Sequence, residues 1–260
     1  LTRTDVAQPA LFQPRLELAH QILGLFLDFD VAVAHHPERA LRFDADAITG
    51  MFISMMFAGH HTTSGTAAWT LIELLRNPDV MANVLAEMDA LADAGGGVVH
   101  YQDLREVPWL EFSIKETLRL HPPLILLLRL VMEPFDVGGY HIEAGKLVGA
   151  SIAVSNTLAE AFDEPERFDP SRYIDPRQDD LDNPWNWLPF GAGRHRCVGA
   201  AFALMQLKTI FCVLLRDWEL TAAQPPDSYH NDLSKMVIQL AQPCQVHYRR
   251  RVRPDASGEA

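Results

Sequence analysis

One uninterrupted stretch limits what this chain can become. The run "FDADAITGMFISMMFAGHHTTSGTAAWTLIELLRNP" reads as a single long helix. Asp44 or Asp46 can cap its start, and Pro78 lies just past its end. From Ala47 to Arg76 it would run ~45 Å, at about 1.5 Å per residue. Apolar residues cover nearly all faces of its first half. That pattern predicts a helix buried through the middle of a large domain.

Around it the periodicity predicts a mainly α fold with small peripheral β-sheets. "PDVMANVLAEMDALAD" is a shorter amphipathic helix ended by Gly95, Gly96 and Gly97. "LREVPWLEFSIKETLRLHPP" is another, stopped by Pro122 and Pro123. Strand-like pieces follow in "LILLLRLV", "FDVGGYHI" and "KLVGASIAV". Residues 156–189 are irregular, and a last helix is expected from about Val198 to Arg216. "WELTA" and "KMVIQLAQPCQVHY" supply closing strands. Residues 1–42 carry no assignable motif, 43–251 form the expected domain, and 252–260 read as a loose polar tail.

Composition removes several function classes. Nearly half the residues are apolar and 22% are charged, a globular balance. The formal net charge of −12 argues against nucleic acid as the main partner, since phosphate binding needs a basic face. The apolar run "ILGLFLDFDVAVA" is too short to span a bilayer and is interrupted by Asp28 and Asp30. With no apparent signal peptide, the expected location is cytoplasmic, with an anchor before Leu1 left open. Three cysteines, Cys197, Cys212 and Cys244, form no disulfide framework and suit a reducing compartment.

Three motifs carry chemistry. In "FGAGRHRCVG", Cys197 stands just before an apolar helix, whose positive end points at the sulfur. Helix N-termini, cations and metals all favour thiolate over thiol. Gly191, Gly193 and Gly199 let the backbone pass close to something large, and Phe190 can lie flat against a planar neighbour. Arg194, His195 and Arg196 add donors and positive charge. An isolated Gly-x-x-x-Cys would point to a buried structural thiol, but the full run Phe-x-x-Gly-x-x-x-Cys-x-Gly followed by a helix points to a thiolate bound to a metal in a flat cofactor. Zinc is disfavoured, because no second Cys or His sits at finger spacing. In "ETLR", Glu116 and Arg119 are three apart on one helix face and can pair. In "AGHHTT", Gly59 weakens the long helix, and Thr62 can donate back to the carbonyl of Ala58 and bend it. A gap there could admit O2 and a water, and the adjacent His60 and His61 need partners or a cavity.

Together these motifs resemble the cytochrome P450 family. The resemblance implies haem b, with Cys197 as the axial thiolate on iron and Phe190 and Gly191 in its binding loop. It implies that His195 and Arg129 meet haem propionates. It makes Glu116 and Arg119 part of a buried brace under the cysteine loop. "F-D-P-S-R-Y" then supplies Arg172 as the third member in preference to Arg167 of "PERF". Thr62 becomes the hydroxyl that handles protons during oxygen activation. The family usually has an acid just before this Thr; here it is His61, an imidazole able to shuttle protons near neutral pH.

That histidine, with "HPPLILLLR" and "NDLSKMVIQLAQP", resembles bacterial sterol 14α-demethylases. The resemblance runs from about Phe43 to Arg251. It implies three O2-dependent oxidations that remove a 14α-methyl group as formate, and a sterol pocket lined by Phe57, Ala58, Leu124, Ile125, Leu126 and Met236. It also implies an electron donor such as a ferredoxin, for which Arg194, Arg196 and Lys208 offer cations. In the family roughly half of the fold precedes the long helix. The same motifs are therefore compatible with a hydroxylase of another lipophilic substrate, or with a truncated chain lacking activity.

Overall fold

In the computed structural model the described residues are 44–95 and 99–251. The unassigned segment 1–42 and the tail 252–260 lie outside them. The chain divides into two units, Leu1–Ser54 and Met55–Ala260. Of the first, residues 45–54 are helical and form the start of helix α1 (Ala45–Arg76), with Asp44 accepting from the Ala47 N–H at 2.8 Å.

The second unit holds the remaining elements. Helix α2 spans Pro78–Gly95 and α3 spans Pro108–Leu120. Strand β1 (Leu126–Leu130) pairs antiparallel with β4 (Leu147–Ser151), and between them lies the hairpin β2 (Phe135–Val137) and β3 (Tyr140–Ile142). Gly138 and Gly139 turn that hairpin at φ of 56° and 81°, the left-handed region glycine tolerates. Short helices α4 (Ile152–Ser155) and α5 (Asp179–Asp182) flank the irregular stretch. Helix α6 runs Ala200–Asp217. Strand β5 (Trp218–Ala222) pairs with β8 (Val246–Arg250), and β6 (Asn231–Asp232) with β7 (Gln239–Leu240). The described residues thus form helices with four two-stranded sheets, the mainly α architecture the periodicity predicts.

The core forms where α2, α3, α6 and the end of α1 meet. Leu74, Val84, Met88, Leu110, Ile114, Leu118, Leu207, Phe211 and Leu215 are all buried there. A second cluster joins Trp69 and Ile72 of α1 to Tyr229 and Leu240, clasping the β6–β7 hairpin onto the helix.

Three expectations need correction. The first half of α1 is not buried: Met55, Met56 and Phe57 are exposed, and burial begins at Gly65. The apolar clusters take in α1 residues only from Ala67 on. The helix predicted from Leu104 is split. Residues 101–105 form a separate 3-10 turn, and Pro108 takes the first position of α3, where its missing N–H costs no hydrogen bond. The run "IAV" leaves its strand for α4, because the Ser151 hydroxyl accepts from Val154 N–H and caps a helical turn.

Candidate functional site: a cysteine loop, its brace and an apolar helix segment

Cys197 sits on a tight loop. Its N–H donates to Phe190 O at 2.8 Å, closing the turn, and Gly191 and Gly193 take φ of 68° and 66°. A 3-10 turn at Gly193–His195 follows, and α6 starts three residues after the cysteine with Gly199 as its cap. Cys197, Arg194, His195 and Arg196 are exposed, and Phe190 is half-buried.

Beneath the loop lies a cluster of buried charge. Glu116, Arg119 and Arg172 each have no exposed surface. The two carboxylate oxygens of Glu116 accept from Arg119 Nη2 and Nε at 2.8 and 2.9 Å. They also accept from Arg172 Nε, Tyr173 Oη and Asp169 N. Arg172 Nη1 reaches Asp179 at 3.0 Å. Burial, with the Glu116 charge, pushes the Tyr173 phenol well above its usual range. Arg167 instead is exposed and pairs with Glu164; it meets the cluster only through its carbonyl, which accepts from Arg119.

Two residues with no visible motif tie this cluster to the cysteine loop. Asn156, fully buried, donates to Arg119 O at 3.2 Å and accepts from Leu188 N–H at 2.9 Å. Trp187 Nε1 donates to Tyr173 Oη at 3.1 Å, and its ring lies 6.3 Å from that of Phe190. Only the aromatic run "PWNWLPF" hinted at this packing.

On α1, Thr62 Oγ1 donates to Ala58 O at 2.6 Å, the back-bond expected of it. His61 Nδ1 lies 3.0 Å from Gln239 Nε2, and the His60 ring packs edge-on at 4.9 Å. The β6–β7 hairpin crosses α1 at Gly65, where a Cβ would come within 3.3 Å of Ile238 O. Ile238 N–H donates to Pro123 O at 2.8 Å. Leu127 of β1 in turn lies 3.5 Å from the Cβ position of Gly191. Contacts therefore link four stretches: the His61–Gly65 turn, the run from Pro123 to Arg129, the cysteine loop and the hairpin. Of the predicted lining residues, Leu124, Ile125, Leu126 and Met236 stand exposed on those stretches, and Phe57 and Ala58 stand exposed on α1 just before the His61–Gly65 turn. Arg129 is exposed on β1, with Nη1 donating to Leu128 O.

One predicted cation does not belong to this surface. Lys208 is buried and bonds Glu111 at 2.5 Å, because an ammonium taken out of water needs a carboxylate partner. The exposed cations at the loop are Arg194 and Arg196.

The loop fits haem on its donor chemistry. Among the described residues no group of three or more His, Cys, Asp or Glu is placed to hold a bare metal ion. A single exposed thiol suits an iron that arrives with its other ligands already in a porphyrin. No helix among the described residues is long and apolar enough to cross a membrane.

Comparison with known proteins agrees. The family model described as "Cytochrome P450" matches residues 20–248. A sterol 14alpha-demethylase of Mycolicibacterium vanbaalenii is 61% identical over 212 residues, covering 82% of this chain and 47% of that relative. A sterol 14alpha-demethylase of Mycobacterium tuberculosis is 60% identical over 223 residues, 85% of this chain and 49% of the relative. An obtusifoliol 14-alpha demethylase of Triticum aestivum is 36% identical over 211 residues, 78% of this chain and 46% of the relative. The chain spans about half the length of these relatives. With the family model matched over most of its length, the chain belongs to the cytochrome P450 family, whose members hold haem through a cysteine thiolate.

Proposed function

We propose that residues 43–251 are the haem-thiolate, oxygen-activating part of a monooxygenase that removes the 14α-methyl group of a sterol. The observation that carries this reading is the 61% identity over 212 residues with a protein named sterol 14alpha-demethylase. Three rounds, each consuming one O2, two electrons and two protons and releasing water, take the methyl through alcohol and aldehyde to formate. The last round leaves a 14,15 double bond.

Haem, when bound, supplies the oxygen activation and the oxidation itself; the chain's residues do the rest. Cys197 offers the thiolate, held in place by its N–H bond to Phe190 O. Arg129 and His195 offer positive charge or hydrogen-bond donors to the propionates. Thr62 commits its proton to Ala58 O, so its oxygen lone pairs face outward as acceptors. His61 carries a proton beside it. Phe57, Ala58, Leu124, Ile125, Leu126 and Met236 exclude water from the sterol. Arg194 and Arg196 meet the acidic face of a ferredoxin-like electron donor. Three cysteines outside any disulfide fit a cytoplasmic, reducing setting.

The test is a reduced carbon-monoxide difference spectrum on the haem-loaded 260-residue chain, followed by sterol turnover. The expected result is a thiolate-type Soret band that Cys197→Ala abolishes. A band unchanged in that variant overturns the ligand assignment. A second reading, haem binding without turnover, is favoured by the exposed Met55, Met56 and Phe57. It predicts the band with no sterol product.

A further inference from the structure

We propose that Gln239 is a positioning residue that fixes which nitrogen of His61 carries the proton. The inference rests on the reading of His61 as a proton carrier. Gln239 Nε2 lies 3.0 Å from His61 Nδ1, although the two residues are 178 positions apart. With the amide turned so that its nitrogen faces the ring, that nitrogen donates and Nδ1 accepts. In the neutral imidazole the proton then sits on Nε2, and that N–H is the donor left for the site.

The hairpin that carries Gln239 is itself held from three directions. Ile238 N–H donates to Pro123 O at 2.8 Å. Gly65 of α1 lets Ile238 O approach to 3.3 Å of where a Cβ would stand. Leu240 is buried with Trp69, Ile72 and Tyr229. The amide is thus delivered by a fixed backbone rather than by a mobile loop. His60, packed edge-on at 4.9 Å, restrains the imidazole from a second side. A side chain from the end of the chain thereby sets the polarity of the proton donor on α1. It also links that donor to the Pro123 corner, from which Leu124–Leu126 depart.

Nitrogen-15 spectra of histidine-labelled full chain, in mildly alkaline buffer, read the tautomer directly. The expected wild-type pattern for His61 is a pyridine-type Nδ1 and a pyrrole-type Nε2. Gln239→Glu should move the proton to Nδ1, because a carboxylate can only accept. Gln239→Leu should give a mixture. A pyrrole-type Nδ1 in the wild type, or a tautomer that both variants leave unchanged, overturns the proposal. The proton-carrier reading is tested separately, by the ratio of product to oxygen consumed in Thr62→Ala and His61→Ala enzymes. A tautomer that shifts in the Gln239 variants while those ratios stay at the wild-type value supports the positioning role and removes the relay.

Discussion

At Glu116 five donors converge on one carboxylate, from Arg119 twice, Asp169 N, Arg172 and Tyr173. Removing that carboxylate leaves two guanidinium groups in a site with no exposure. Breaking a buried pair in this way costs about 3–5 kcal/mol. Glu116→Ala should therefore lower the chemical-denaturation midpoint severely. Arg167→Ala, which removes only an exposed pair with Glu164, should stay within about 0.5 kcal/mol of the wild type. Equal losses in the two variants would contradict the difference in burial. The two arginines are both basic and five positions apart, and only the residues around them distinguish their fates. Asp169 caps the 3-10 turn at Pro170–Tyr173 by accepting from Ser171 N–H, and that turn aims Arg172 inward.

At the scale of elements, α3 owes its entry to another helix. Val107 at its cap has no side-chain acceptor, and the first N–H groups of Trp109 and Leu110 are taken by Glu87 of α2, at 2.6 and 3.1 Å. Burial pushes the Glu87 carboxyl up to about 7, outweighing those two N–H groups and the Lys208 charge, which pull it down. A carboxyl raised in the folded state from 4.5 takes up a proton on folding. Its contribution to stability is full below pH 4.5 and is lost as pH rises towards 7. Glu87→Gln should flatten the fall in stability across that window, as read by urea midpoints at a series of pH values. Glu73 runs the other way. Burial raises it, but hydrogen bonding and charge from His121, with Arg76, lower it overall, so its contribution fades as pH falls through its folded value. The long helices and their order were legible in the sequence from periodicity and the prolines and glycines that end them, whereas the start of α3 at Pro108 and the short helices α4 and α5 were not. The Glu87 cap was not, because it joins residues 22 and 23 positions apart through a geometry no local pattern encodes.

Across the whole molecule the same division holds. The cysteine loop, the Glu-x-x-Arg pair and the Thr back-bond could be read because each lies within a few residues of its own signal. Asn156, Trp187 and Gln239 could not, because their partners are brought in from distant segments. The burial of Lys208 was missed for the same reason: Glu111 is 97 positions away. The three thiols report this architecture in one experiment. Cys197 is exposed, whereas burial and the Glu87 charge push the buried Cys212 up to about 11. A thiol reagent should modify Cys197 first, Cys244 more slowly, and Cys212 only on unfolding. Mapping the modified peptides over time checks the order, and haem loading should protect Cys197 selectively.

Gly65 gives the molecule a mechanical sensitivity out of proportion to its size. A single methyl group there would press on Ile238 O from 3.3 Å, and the obstacle is backbone rather than a side chain that can swing aside. Gly65→Ala would act as a wedge a few tenths of an ångström thick between helix and hairpin. It would lengthen the reach from Gln239 to His61 without altering either residue. On the proposed role of Gln239, how far the hairpin stands off the helix would set how firmly the His61 proton is held in place.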